Sequence, residues 1–204
     1  MKLEHINFVH QALRTTAKNV VNRAYKLGDG DNLEGINLTF TSWIAALGFY
    51  LETSEKYLKQ HLEQLLDSTT YSESCNPETL HISLSELHES NRDRLLARID
   101  DILAILHVEI GKTRLIGRTI RHLTLGILRL QTAQEDYLES QEESLIPLIS
   151  GHLDSTQQLH FLSHMLLDQE SDDRKWMIKW VKGNLDSRGK KLLLSLEQLL
   201  ERTS

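Results

Sequence analysis

A single cysteine, Cys75, stands in 204 residues, so the chain cannot form an internal disulfide and suits a reducing compartment. Two prolines and ten glycines are too few for a loop-rich or all-β chain. No apolar run approaches the roughly 20 residues that a membrane-spanning helix needs. Met1 leads straight into Lys2-Leu3-Glu4-His5 with no apolar core of a secretory signal, and the expected location is the cytoplasm. Positive charge is also short: the formal net charge is -6, a field that opposes a broad nucleic-acid contact. No Ser-His-Asp ordering, glycine-rich phosphate loop or Cys-x-x-Cys pair occurs. The chemistry of hydrolases, nucleotide enzymes and zinc ribbons therefore has no foothold, and the balance leans away from an enzyme.

What is present is helix. Hydrophobic residues make up 40% and charged residues 25%, the balance of a chain with a real core. Long stretches of Leu, Glu, Lys, Gln and Arg favour helix because straight side chains lose little rotamer freedom there. A first seam runs Leu3, Ile6, His10, Leu13, Ala17, Val20, Ala24 and Leu27, alternating spacings of three and four. Turn formers Gly28 to Asn32 stop it. A second seam runs Ile44, Leu47, Leu51, Ser54, Leu58, His61 and Leu65 and fades into a polar loop ending at Cys75. Asn76-Pro77 has the form of an N-cap followed by proline at the first helical position. The third seam is His81, Leu84, His88, Asn91, Leu95, Ile99, Ile102 and Leu106, broken near Gly111. The fourth is Ile116, Ile120, Leu123, Ile127, Leu130, Gln134, Tyr137, Gln141 and Leu145, ending near Pro147 and Gly151.

Four such helices predict an all-α, up-down-up-down four-helix bundle over residues 1–153. Residues 154–204 read as a C-terminal helical extension packed on it, with apolar faces Leu159, Leu162, Leu166; Trp176, Trp180; and Leu192, Leu196, Leu199.

Polar residues on the seams are the informative anomaly, because burying them unpaired costs a few kcal/mol each. His10, Tyr50, Ser54, His88, Asn91, Gln134, Tyr137 and Gln141 lie near the middles of four helices and predict one buried polar layer. The second and fourth helices also resemble each other: Tyr50-Leu51-Glu52-Thr53-Ser54-Glu55 aligns with Tyr137-Leu138-Glu139-Ser140-Gln141-Glu142. More faintly, His10 to Arg14 echoes His88 to Arg92. A helix pair repeated once predicts an approximate two-fold axis; chance likeness of amphipathic helices is the alternative.

At these residues the chain resembles the hemerythrin-like, or HHE cation-binding, family over roughly residues 5–150. Its carriers are His10-Gln11-Ala12-Leu13-Arg14 and the stretch Tyr137 to Ile149, which is similar to the family pattern His-Leu-x-x-Glu-Glu-x-x-Leu-Phe-Pro-Leu. The resemblance implies a bundle holding two non-haem irons, in proteins that bind dioxygen or nitric oxide, store iron, or sense redox state and iron. Carried over, His10 and His88 match the lone histidines of the first and third helices. The His-x-x-x-Glu pairs of the second and fourth are replaced by Tyr50 with Ser54 and by Tyr137 with Gln141. Iron is thus the implied cofactor, with an incomplete ligand set: His10 and His88 as metal candidates, and Tyr50, Ser54, Asn91, Tyr137 and Gln141 lining a core pocket. Glu55 and Glu142 stand one residue further on, about 100 degrees around a regular helix.

Two functional readings follow. One is a divergent hemerythrin-like protein that binds or senses metal or a small ligand in its core. The other is a metal-free helical interaction or regulatory module retaining only the fold, with a protein partner on the C-terminal helices. Outside the layer, His160 and His164 form an i, i+4 pair, with His152 before them, and solvated histidines are the simpler account. His61 reads as a satisfied core histidine. Lys175, Trp176, Lys179, Trp180 and Lys182 form a basic-aromatic face whose tryptophans are expected to cover the bundle while the lysine stems reach water. Lys112, Arg114, Arg118, Arg121 and Arg129 make the start of the fourth helix basic, with counter-charges expected on neighbouring helices.

Overall fold

A computed structural model describes the backbone of residues 3–68, 77–109 and 116–203, and side chains over 5–57, 89–108 and 116–200. Among the described residues the chain is helical throughout, without a strand. A short 3-10 turn, Leu3–Ile6, opens into α1 (Asn7–Ala24), followed by α2 (Glu34–Ser68), α3 (Pro77–Glu109) and α4 (Gly117–Ser140). A π-helical turn, Gln141–Leu145, joins α4 to the short α5 (Ile146–Ser150). Then come α6 (Ser155–Leu166), α7 (Trp176–Asn184) and α8 (Ser187–Thr203).

The seams set the packing. On α1 the spacing of three and four buries Ile6, His10, Leu13, Ala17, Val20 and Ala24, so one stripe faces inward. The helix ends at Ala24, and the following turn contains Gly30 at φ 91°, a conformation that side chains with a Cβ rarely adopt. Helix α1 packs against both α2 and α4, α3 packs against α4 and α2, and the described long helices thereby form a closed ring of neighbours. Phe40, Trp43, Leu47, Leu51, Leu95, Ile102, Leu123, Ile127 and Leu130 fill the interior of that ring. Gly126 permits close approach of α3, since a Cβ there would meet Ile102 Cγ1 at 3.3 Å.

The last three helices belong to the same apolar cluster. Helix α6 is started by a capping box: Asp154 accepts from the Thr156 and Gln157 N–H groups at 2.8 and 2.9 Å, while the Asp154 N–H donates to Gln157 Oε1 at 2.9 Å. It packs against the opening 3-10 turn and α2, burying Phe161, Leu162, Met165 and Leu166. Helix α7 lies on α1 and buries Met177, Ile178 and Val181, and α8 packs on α7.

Three expected register positions are corrected. Ile116, placed on the fourth seam, is 61% exposed, because it is the extended N-cap residue ahead of α4 and has not entered the helix. On α8 the buried stripe is Leu193, Leu196 and Leu200, whereas Leu192 and Leu199 face outward at 47% and 41% exposure. Three consecutive leucines, 192 to 194, allow the apolar stripe to start one residue later, and packing on α7 selects that phase. The fourth helix continues past Pro147 through α5 to Ser150, with Gly151 as its C-cap, in agreement with the expected end near Gly151. His61 and His81 lie outside the described side chains.

Phe161 ties the C-terminal helices to the common core and is 1% exposed. Phe161→Ala is expected to lower the stability of the whole chain by about 3–5 kcal/mol, with one cooperative transition in urea followed by circular dichroism. A separate early transition of the C-terminal helices would contradict that coupling.

Candidate functional site

The inward stripe of α1 carries His10, completely buried among apolar neighbours. An imidazole there needs a partner for each nitrogen. Nδ1 lies 2.6 Å from Glu142 Oε1, and Nε2 lies 2.5 Å from the hydroxyl of Tyr50 on α2. Tyr50 is edge-on to the ring, with centroids 5.3 Å apart at 90°. From Tyr50 the chain of hydrogen bonds continues to Gln141 Oε1, and Gln141 Nε2 donates to the Tyr137 hydroxyl at 2.9 Å. Tyr137 meets Ser54 Oγ at 2.9 Å, and Ser54 donates to the Leu51 carbonyl at 3.1 Å. His10, Tyr50, Ser54, Tyr137 and Gln141 are therefore brought together, each with no exposed surface. Asn91 is half-buried on α3, and His88 lies outside the described side chains. One turn away, Trp43 Nε1 donates to Gln134 Oε1 at 2.7 Å.

Glu142 is the participant that regular helical spacing misses. The turn that carries it is π-helical: the Ile146 N–H bonds to the Gln141 carbonyl, five residues back. The wider turn lets adjacent residues 141 and 142 both serve the interior, Gln141 toward the phenols and Glu142 toward His10. Pro147 supplies the physical cause. It has no N–H to offer the carbonyl of Glu143, and its ring would crowd that carbonyl in a regular α-helix, a conflict that an inserted π turn relieves. Proline five residues beyond Glu142 was the available signal.

Glu142 opens the layer to the surface. Arg14 grips it through Nη1 and Nη2 at 2.7 and 3.1 Å, and holds Glu135 through Nε at 2.7 Å. This forked contact is the geometry in which guanidinium recognises carboxylate best. Burial alone would raise the Glu142 carboxyl, but hydrogen bonds from His10 and Arg14 outweigh it and bring the pKa down from 4.5 to about 2. Arg14 is itself held protonated more firmly than usual: burial opposes this, and the bonds to Glu142 and Glu135 overcome it. Burial lowers His10 below its ordinary value, against the pull of Glu142. Both phenols are pushed up by burial, Tyr50 well above the ordinary value, and neither ionises at neutral pH.

Donor bookkeeping gives the layer two settings. The Glu142 carboxylate only accepts, so His10 Nδ1 carries a proton. With Tyr50 donating to Gln141 Oε1, Nε2 must also donate, and the ring is a cation beside Glu142. A half-turn of the Gln141 amide reverses the donors, Tyr50 donates to Nε2, and the ring is neutral. Burial favours the second setting and Glu142 the first.

The repeat seen in the sequence has a counterpart in these contacts. Arg14 of α1 pairs with Glu142, and Arg92 of α3 pairs with Glu55 of α2 at 2.7 Å. Arg92 aligns with Arg14, and Glu55 with Glu142, so the two ion pairs are made by corresponding residues.

A di-iron centre does not fit the described residues. His10 spends both nitrogens on Tyr50 and Glu142, the remaining members are neutral phenols, an amide and a hydroxyl, and Arg14 already occupies Glu142. Among the described residues no group of three or more His, Cys, Asp or Glu side chains could hold a metal ion.

The basic-aromatic face is also taken up within the chain. Trp176 Nε1 donates to Asp168 at 2.7 Å and its ring meets Phe49, while Trp180 Nε1 donates to Ser42 at 3.0 Å. Lys175 faces Glu197 at 3.6 Å and Lys179 binds Asp173 at 2.7 Å.

Tyr50→Phe removes the hydroxyl between His10 and Gln141 and leaves two buried polar atoms unpaired. The expected loss is about 1–3 kcal/mol in urea denaturation, with no loss for Tyr25→Phe, whose ring is 63% exposed. Acid has a defined direction. A carboxyl at about 2 in the fold and 4.5 in the unfolded chain contributes stability that is complete above 4.5 and lost as pH falls toward 2. The lowered His10 acts the same way, starting below 6.5. The urea midpoint of the wild type should therefore fall on acidification below 6.5, and Glu142→Gln should flatten the lower part of that fall. A variant with an unchanged acid profile would remove Glu142 from the account.

Compared with family models, with curated proteins and with solved structures, the chain matches none.

Proposed function

We propose that this chain is a metal-free helical interaction or regulatory module, built as a hemerythrin-like up-down-up-down four-helix bundle whose former metal layer has become a hydrogen-bonded lock. The single observation carrying this reading is that both ring nitrogens of His10 are engaged, by Tyr50 and Glu142, within a chain of bonds ending at Ser54. A metal at His10 would have to displace one of these short contacts and would meet two protonated phenols instead of bridging carboxylates. The bundle assignment draws on the ring of neighbouring helices and on the paired Arg14–Glu142 and Arg92–Glu55 contacts. The expected partner is a protein, met through the C-terminal helices, where α8 turns Leu192, Leu194 and Leu199 outward. No helix of the described residues is long and apolar enough to cross a membrane.

Iron analysis tests the proposal. Protein expressed in iron-supplemented medium should carry far less than one iron per chain, show no ligand-to-metal absorption, and melt at the same temperature with or without an iron chelator. Stoichiometric iron that disappears in His10→Ala would restore a metal-binding or metal-sensing function to the layer.

A further inference from the structure

Helix α6 holds two histidines one turn apart, away from the buried layer. His160 is exposed and His164 half-buried. Their Nε2 atoms face each other at 3.3 Å, with ring centroids 4.4 Å apart at 80°. Their spacing puts both side chains on one face, yet the convergence of the same nitrogen from each ring is a property of these rotamers and not of spacing alone.

His164 is held in place from outside its own helix. The Tyr57 hydroxyl of α2 lies 2.8 Å from Nδ1, and the two rings stack at 4.0 Å and 16°. With Nδ1–H donating to the Tyr57 oxygen, the lone pair of Nε2 points at His160. Metal-binding histidines are commonly oriented in this way, by a hydrogen bond on the nitrogen that does not bind.

At this distance a proton on one Nε2 makes a hydrogen bond to the other, and a cation that displaces that proton takes both lone pairs. A zinc ion about 2.0–2.1 Å from each nitrogen, at a tetrahedral angle, puts the two nitrogens about 3.3 Å apart. The nitrogen separation already matches that bite, while the rings, with centroids 4.4 Å apart at 80°, must turn for both lone pairs to meet at one point. We propose that His160 and His164 form a two-histidine site for a divalent transition-metal cation of the zinc, nickel or copper class, with Tyr57 as the positioning residue. Water fills the remaining coordination positions. A groove of about 280 Å³ runs beside His164 and leaves that ring accessible from solvent. Calcium and magnesium, which take oxygen ligands, are excluded by the imidazole pair. The site is independent of His10 and of the metal-free reading of the buried layer.

Titration of the full chain with zinc alone at neutral pH, in competition with a chromophoric indicator, tests the assignment. One equivalent is expected to bind with micromolar affinity, unaffected by millimolar magnesium and retained in His10→Ala. His160→Ala and His164→Ala should each abolish it, with helicity and melting temperature unchanged. His160→Gln, at an exposed position, serves if an alanine variant fails to fold. Tyr57→Phe should weaken binding by about tenfold, the usual scale for an outer-shell partner. The same variant should release the His164 tautomer, read from nitrogen NMR shifts, from Nδ1–H to a mixture. Absence of zinc uptake by the wild type, or uptake that persists in the double His160→Ala, His164→Ala variant, overturns the site.

Discussion

A buried imidazole needs two partners, and the two available to His10 come from different helices. Tyr50 is fixed to α2, and Glu142 to the π turn that follows α4. Sliding α1 by one turn, about 5.4 Å, would carry His10 away from both and leave its two ring nitrogens unpaired in an apolar interior, at a cost of about 1–3 kcal/mol each. Apolar seams tolerate such slips far better, since one leucine replaces another. The longitudinal register of α1 against α2 and α4 therefore depends on this contact more than on the leucine stripe around it. The single buried asparagine of a coiled coil sets register by the same logic.

The ion pairs at the edge of the layer extend the argument. Arg14 lies one turn beyond His10 on α1 and grips the carboxylate that accepts from His10. Its guanidinium keeps Glu142 ionised, and an ionised Glu142 is the stronger acceptor for Nδ1–H. Removing one charge alone would strand the other, so interior and surface contacts depend on each other. Arg92 and Glu55 make the corresponding link between α3 and α2. Two such links, formed by aligned residues, are easier to derive from one ancestral helix pair than from chance, because amphipathic periodicity specifies apolar spacing but not which arginine meets which glutamate.

Much of this was legible in the sequence, and the exceptions have physical causes. The first-seam residues Ile6, His10 and Leu13 are all buried, and so are the fourth-seam residues Leu123, Ile127, Leu130, Gln134, Tyr137 and Gln141. Spacing of three and four was enough to place His10, Tyr50, Ser54, Tyr137 and Gln141 at one level. The role of Glu142 was not legible from α-helical angles, because a π turn changes the angle at which residues leave the axis. The α8 stripe was misplaced because consecutive leucines erase the phase of an amphipathic pattern, leaving α7 to select among them. The approach of His160 and His164 depends on their rotamers, that of His164 held by Tyr57 from another helix, which no local pattern contains.

A buried polar layer poses a question of energetics: why are its members not leucines? An apolar replacement of matched shape would be neutral or stabilising for many buried polar groups. Single replacements, however, pass through states in which a partner is left unsatisfied. Changing Tyr50 alone strands His10 and Gln141; changing Gln141 alone strands Tyr50 and Tyr137. Five mutually dependent side chains thus form a barrier to stepwise loss. A phenol suits such a layer because it carries a donor and an acceptor and brings no charge that burial would penalise.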